Sequence, residues 1–288
     1  MPFLSWLEPW EFSPTAVLVF AISALWYLRG CRKRRVPWNW QLSFWIGWGV
    51  LYIGLQTRLD YYAEHEFFIH RLQHLGLHHL GPFLIALAYP GPALRAAIPL
   101  RWRTRWLRPV LCSLPVRWSL TVLLNPLVAA FMFVGLIYLW LVPPIHFNAM
   151  LDWRLYRLMN WSMAVDGLIF WWLILDPRPR PPARLAPGTR VLVALGVIIP
   201  QILLGAFITF THMDLYPIYA LCGRAFGGIS GSTDQYLGGL ILWIPSSMMS
   251  VIAALFAFHH WVQLSSRGRL RRLRPQRRHG STSIVLDG

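Results

Sequence analysis

The sequence predicts an all-α integral membrane protein, a bundle of seven transmembrane helices with its N-terminus outside and its C-terminus cytoplasmic. Three observations predict it. Hydrophobic residues make up 56% of the 288 residues and charged residues 13%, with a mean hydropathy of +0.45, which leaves too little polar surface for a soluble domain. Apolar runs recur at lengths that cross a hydrocarbon core of about 30 Å. The basic residues crowd into alternate connections between those runs, and the positive-inside rule makes that side cytoplasmic.

Taken in order, the first run, 13–29, follows Glu8 and Glu11 and precedes Arg29, Arg32, Lys33, Arg34 and Arg35. It lacks a basic leader and a small-residue cleavage site, so it reads as a retained helix. Runs 39–56 and 67–89 come next, the latter the least apolar of the set. Runs 119–142, 156–175, 190–211 and 237–262 complete the seven. Stretches such as Leu168 to Leu175 do not alternate, which excludes a closed barrel. Further basic clusters lie at 95–117, at 178–190 within the Pro-rich loop DPRPRPPARLAPG, and at 267–278. With the 29–35 cluster they hold all of the 27 Lys and Arg except Arg58, Arg71, Arg154, Arg157 and Arg224. The chain divides into a membrane domain, 1–265, and a basic, disordered cytoplasmic tail, 266–288. A formal net charge of +16 on such a chain serves topology and contact with anionic membrane lipids, not nucleic acid. Cys31, Cys112 and Cys222 supply no disulfide framework.

The third run carries the chemistry. It contains HRLQHLGLHH at 70–79, and ionisable side chains at membrane depth cost several kcal/mol unless they are paired, line a cavity or bind something. At about 100° per residue, His70, His74 and His78 form one stripe with Gln73 beside it, and His79 points elsewhere. The first two lie in the outer half of their helix. Imidazoles one turn apart suit a metal ion, a haem edge or an interhelical polar contact. Arg71 is placed to snorkel outward, with Glu64 and Glu66 near enough to pair with it.

Other soft or polar groups are expected at the same level. Tyr156, Met159, Asn160 and Met163 share a face at the start of the fifth run, after a loop with a solvated His146 and Met150. The sixth run ends in Thr211, His212 and Met213, and the seventh starts at Asp234 and Gln235. Imidazole with thioether favours Cu(I), whereas the scarce carboxylates argue against Mg or Ca. The metal candidates are therefore His70, His74, His78, His212, Met213, Met159 and Met163. Packing is the commoner role of a lone methionine on a membrane helix, Met150 and Met163 included. Asp234 suits a helix cap, Gly238 and Gly239 admit a close neighbour, and Pro126, Pro200 and Pro245 are placed to kink their helices.

HRLQH at 70–74 resembles the His-x-x-Gln-His element of the CtaG family of cytochrome c oxidase assembly factors. DLYPIY at 214–219, with Tyr216 and Pro217, is similar to that family's Leu-Tyr-Pro-x-Tyr segment. DQYLGGLILWIP at 234–245 resembles its Asp-Gln-x-Leu-Gly-Gly signature, and GLIFWW at 167–172 fits its Gly-x-x-Phe-Trp element. The resemblance spans roughly 60–260. It implies a non-enzymatic role in maturing haem-copper oxidases, with copper supplied to the catalytic subunit. The family usually has a His after the Trp of its middle element, where this chain reads Trp140, Leu141, Val142, Pro143. Met159 and Asn160 stand where it shows a Glu-His pair, and Tyr156 where another His is common.

The expected function is thus a multi-pass protein of the bacterial inner membrane that binds or delivers Cu(I) at the periplasmic face. Its expected partners are the oxidase catalytic subunit or other assembly factors. The competing readings are a haem-binding electron carrier using His212 opposite His70 or His74, and a metal-free scaffold or transporter with a polar cavity. Nothing resembles a hydrolase triad, a Walker loop or a paired carboxylate site.

Overall fold

The computed structural model describes residues 13–273, with side chains through 268. Among them every regular element is helical. Glu8, Glu11 and most of the expected tail at 266–288 lie outside the described residues. Helix α1 (Pro14–Lys33) starts on a proline, whose missing N–H costs nothing at the first helical position. A short turn leads to α2 (Trp38–Gln56). The third run is broken into α3 (Leu59–His65), α4 (Phe67–His74), a π-helical turn over Leu75–Leu80, and α5 (Gly81–Leu87), followed by α6 (Gly91–Ala97).

The π-helical turn has an identifiable cause. Pro82 has no N–H to offer the His78 carbonyl four residues back. The Trp171 indole donates to that carbonyl instead, at 3.0 Å, and the Gly81 N–H reaches the carbonyl of Gly76, five residues back. The wider turn resets the helix phase, so that both His78 and His79 face inward. The expectation that His79 points away from the other histidines fails for this reason.

Helical turns over 100–112 lead into α7 (Leu114–Leu123) and α8 (Pro126–Leu141). Asn125 caps α8 by accepting from the N–H groups of Leu127 and Val128 at 3.0 and 3.5 Å. The axes of α7 and α8 differ by 72°. The run expected at 119–142 is therefore not one straight span; Pro126 begins a new helix instead of bending an existing one. Then follow α9 (Pro143–Leu151), α10 (Trp153–Leu175), α11 (Pro187–Gly196), α12 (Ile198–Phe210), α13 (Ile218–Leu221) and the long α14 (Gly231–Leu273), which carries Pro245 inside it.

Among the described residues four helical stretches are long and apolar enough to cross a membrane: Pro14–Lys33, Trp153–Leu175, Pro187–Phe210 and Gly231–Gly268; the bent α7/α8 pair raises the number to five. The segments expected as the second and third spans are present as helices but fall outside that set. The interruptions at Glu66 and Leu75–Leu80 shorten the pieces of the third, and Trp, Gly and Gln dilute the hydropathy of α2.

The helices that form the core are α4, α5, α8, α10, α12 and α14, whose buried faces meet around Phe67, Ile137, Trp140, Met159 and Met163 at one level. At another level Phe83, Phe133, Phe170, Trp171 and Ile174 pack together. Lipid tails are as apolar as leucine, so close packing and interhelical polar contacts hold such a bundle. The basic loops gather at one end: the Arg178 guanidinium lies over the Tyr89 ring at 5.8 Å, and the loop at 176–186 is tied down by Arg190. Arg190 is itself buried, donating to the carbonyls of Asp176, Arg178 and Leu185. It braces the loop and does not reach the headgroups expected of that cluster.

Candidate functional site: a braced rim above a buried histidine file

At the end of the bundle opposite the basic loops, a polar rim locks α4 to α14. Asp234 sits in the first turn of α14 but caps another helix: its carboxylate accepts the N–H groups of Phe67 and Phe68 at 3.0 and 2.8 Å, two of the donors that the start of α4 leaves without an intrahelical partner. Arg224 binds the same carboxylate at 2.6 Å and Glu66 at 3.2 Å, while the Phe226 N–H donates to Glu66 at 3.0 Å. Glu66 thus serves Arg224 and the loop; Arg71, its expected partner, lies elsewhere. Gln235 accepts from the Leu215 N–H at 2.8 Å and donates to the carbonyls of Thr211 and Met213, each at 3.0 Å. A Cβ on Gly238 would collide with the Phe67 ring, and one on Gly239 with Thr209, so the glycine pair sets how closely α14 approaches α4 and α12. The Tyr216 hydroxyl donates to the Leu141 carbonyl at 2.9 Å, and burial pushes this phenol's pKa up, so it remains a donor. Pro217 stands at the start of α13, exposed.

Gln73 also belongs to the scaffold. Its amide donates to the Gly54 carbonyl at 2.8 Å and to Asp60 at 2.6 Å, and Tyr156 donates to the same Asp60 carboxylate at 2.7 Å. This buried triangle fastens α2, α3, α4 and α10 together.

Inside the rim runs a file of histidines. His70, His74, His78 and His79 are 0%, 4%, 0% and 2% exposed. Each has one ring nitrogen held: His70 Nδ1 by the Ala63 carbonyl at 3.2 Å, His74 Nε2 by Asn160 Oδ1 at 3.0 Å, His78 Nε2 by Asp166 at 3.1 Å and His79 Nε2 by Gln201 Oε1 at 3.3 Å. Each has the other nitrogen buried without a hydrogen-bond partner. Holding one nitrogen fixes the tautomer and leaves the second as a lone-pair donor, the arrangement found behind metal-ligating histidines. His146 differs, with Nδ1 on the Trp140 carbonyl at 3.0 Å and Nε2 on the Tyr219 hydroxyl at 2.9 Å. It is not the solvated loop residue expected, because Pro143 and Pro144 open α9 and carry it into the core.

The rings of His70 and His74 stack at 4.5 Å with planes 28° apart, and His146 meets His70 edge-on at 5.1 Å. Farther along, Arg71, His74, His78, His79 and Met163 border a narrow cavity of about 10 Å³, room for a single water-sized group. Arg71 is 3% exposed, packs its guanidinium over Phe67 at 5.3 Å, and leaves Nε and Nη2 without a partner. Arg71 therefore does not snorkel outward as expected: it lies on the inner face of α4. Among the described residues no group of three or more His, Cys, Asp or Glu side chains is arranged to hold a metal ion. The donors present are imidazole pairs with a neighbouring thioether, a set that fits a soft ion of low coordination number.

The expected convergence is therefore partial. His70, His74, His78, Met159 and Met163 are buried together in the core. His212 and Met213 are not: both are exposed, Met213 by 74%, because the chain turns outward once α12 ends at Phe210 and Gln235 clasps its carbonyls. With His212 at the surface, the haem reading loses its second axial ligand. Asp60, Tyr219, Asp166 and Gln201 are the polar partners the sequence reading passed over. The rarity of polar groups inside apolar helices was the signal for Asp166 and Gln201.

These features define a helical membrane protein with a braced polar rim and a histidine file in its core. Residues 22–264, most of the chain, match the model of the cytochrome c oxidase caa3 assembly factor family (Caa3_CtaG), and the chain belongs to that family. No curated protein and no solved structure matches it.

Proposed function

We propose that this oxidase assembly factor carries Cu(I) as cargo on its buried histidine file, for delivery to an oxidase subunit. The observation that carries the reading is the set of four buried imidazoles, each with one nitrogen tethered and the other without a partner, alongside the Met163 thioether. Cu(I) accepts such ligands in small number. The adjacent Arg71 charge disfavours lasting retention of a cation, which suits a cargo that is handed on. In this reading the chain crosses a bacterial inner membrane seven times, N-terminus outside, with the braced rim at the periplasmic face and the arginine clusters inside.

A metal-free scaffold is the second reading, favoured by the absence of a three-ligand cluster among the described residues. The two separate on oxidase copper content in cells carrying His70→Ala/His74→Ala under copper limitation. Loss of copper that added copper partly restores, with the variant protein at normal abundance, supports cargo handling. Full copper content and activity in the double variant support the scaffold.

A further inference from the structure

At the basic end of the bundle the chain between α6 and α8 behaves unlike the rest of the molecule. None of the residues in the helical turns at 100–112 or in α7 is buried, although Trp102, Trp106, Leu114 and Trp118 are each more than 60% exposed. A segment that mixes arginine with exposed tryptophan and leucine and buries none of its residues in the bundle has the composition of one that lies in the membrane interface. Between it and the end of α6 lies a groove of about 750 Å³. Arg95, Arg103 and Arg108 line it together with Ile98, Leu107 and Leu111, and no acidic residue does. A second π-helical turn, Arg103–Leu107, explains how two of the arginines come to share the groove: residues five apart diverge by about 140° on an α-helix but nearly align on the wider turn.

We propose that this groove is a binding site for an anionic phospholipid of the adjoining leaflet, with its phosphate held by Arg95, Arg103 and Arg108 and an acyl chain lying along Ile98, Leu107 and Leu111. Charge complementarity selects the headgroup, since guanidinium forks match phosphate oxygens. The apolar wall and the volume select a lipid over free phosphate, which fills only a small part of such a groove. The site is independent of the histidine file and stands or falls apart from the copper reading.

The test uses the full chain in nanodiscs, reading phosphatidylglycerol and phosphatidylcholine retained per protein by native mass spectrometry. The groove variant is R95Q/R103Q/R108Q. The control, R101Q/R105Q/R117Q, removes the same charge from outside the groove. The wild type and the control should retain phosphatidylglycerol in preference to phosphatidylcholine, and the groove variant should lose that preference by at least about tenfold. Leu107→Gln/Leu111→Gln, which keeps every charge, should also weaken retention, and it replaces the triple variant should that one fail to fold. Equal loss in the groove and control variants would mean diffuse electrostatic attraction and overturn the proposal. So would equal retention of the two lipids by the wild type, or displacement of bound lipid by inorganic phosphate.

Discussion

The rim and the file lie within a few turns of each other on α4, yet they treat polar atoms in opposite ways. At the rim the Asp234, Glu66 and Gln235 carboxylate and amide groups each have two or more partners, those of Asp234 drawn from both α4 and the loop that carries Arg224. In the file, each of four imidazoles keeps one buried nitrogen with no partner. A satisfied buried network rigidifies, whereas an unsatisfied one is costly and persists where it serves a function. Asp234, Gln235, Gly238 and Gly239, which form one of the elements that make the sequence recognisable, therefore build the frame. In the proposed reading the histidines, which form another, supply the chemistry with Met163 beside them.

Breaking the rim should produce the largest effects. Asp234→Ala leaves Arg224 with Glu66 alone and strands two buried N–H groups of α4, each unsatisfied donor costing about 1–3 kcal/mol. The variant should fail to accumulate in membranes, and Glu66→Ala, which leaves Arg224 one carboxylate, should accumulate at a reduced level. Immunoblots of membrane fractions measure both. Gly238→Val is next: its side chain meets the Phe67 ring and Arg71, and overpacking of this kind costs about 1–3 kcal/mol, read as a lower midpoint in thermal unfolding in detergent. An unchanged midpoint would mean that α14 does not approach α4 as closely as described.

Substitutions in the file should sharpen the contrast by sparing the fold. Met163→Leu nearly conserves volume and should shift stability by less than about 1.5 kcal/mol while weakening Cu(I) retention, which a competition titration with a Cu(I) chelator measures. The smallest effects belong to His212→Ala and Met213→Leu, whose side chains face outward. Both should leave stability and oxidase copper content unchanged, and a loss of copper in either would move the cargo site to the surface.

How much of this was legible beforehand differs between the two regions for physical reasons. The His70/His74 stripe followed from helix periodicity, and its burial from the cost of polar groups at membrane depth. The inward direction of His79 does not, because Pro82 shifts the register through a π-helical turn that a fixed angle per residue cannot foresee. Asp234 was read as a cap, and it is one, but for α4 instead of its own helix; a contact across 167 residues of sequence leaves no local trace. His146, expected in a loop, is instead carried into the core by the helix that Pro143 and Pro144 open. His212 and Met213 were drawn into the site by topology alone, which gives depth but not direction.

Whether the free nitrogens of the file hold Cu(I) is read most directly by a Cu(I) titration of the purified protein followed by X-ray absorption at the copper edge. Saturable binding is expected, with imidazole nitrogen scattering that is lost in a His70→Ala/His74→Ala variant that still folds and accumulates in membranes. Copper that binds the double variant as tightly as the wild type, or a wild type that takes up no Cu(I) above a surface-only background, would contradict the Cu(I) reading.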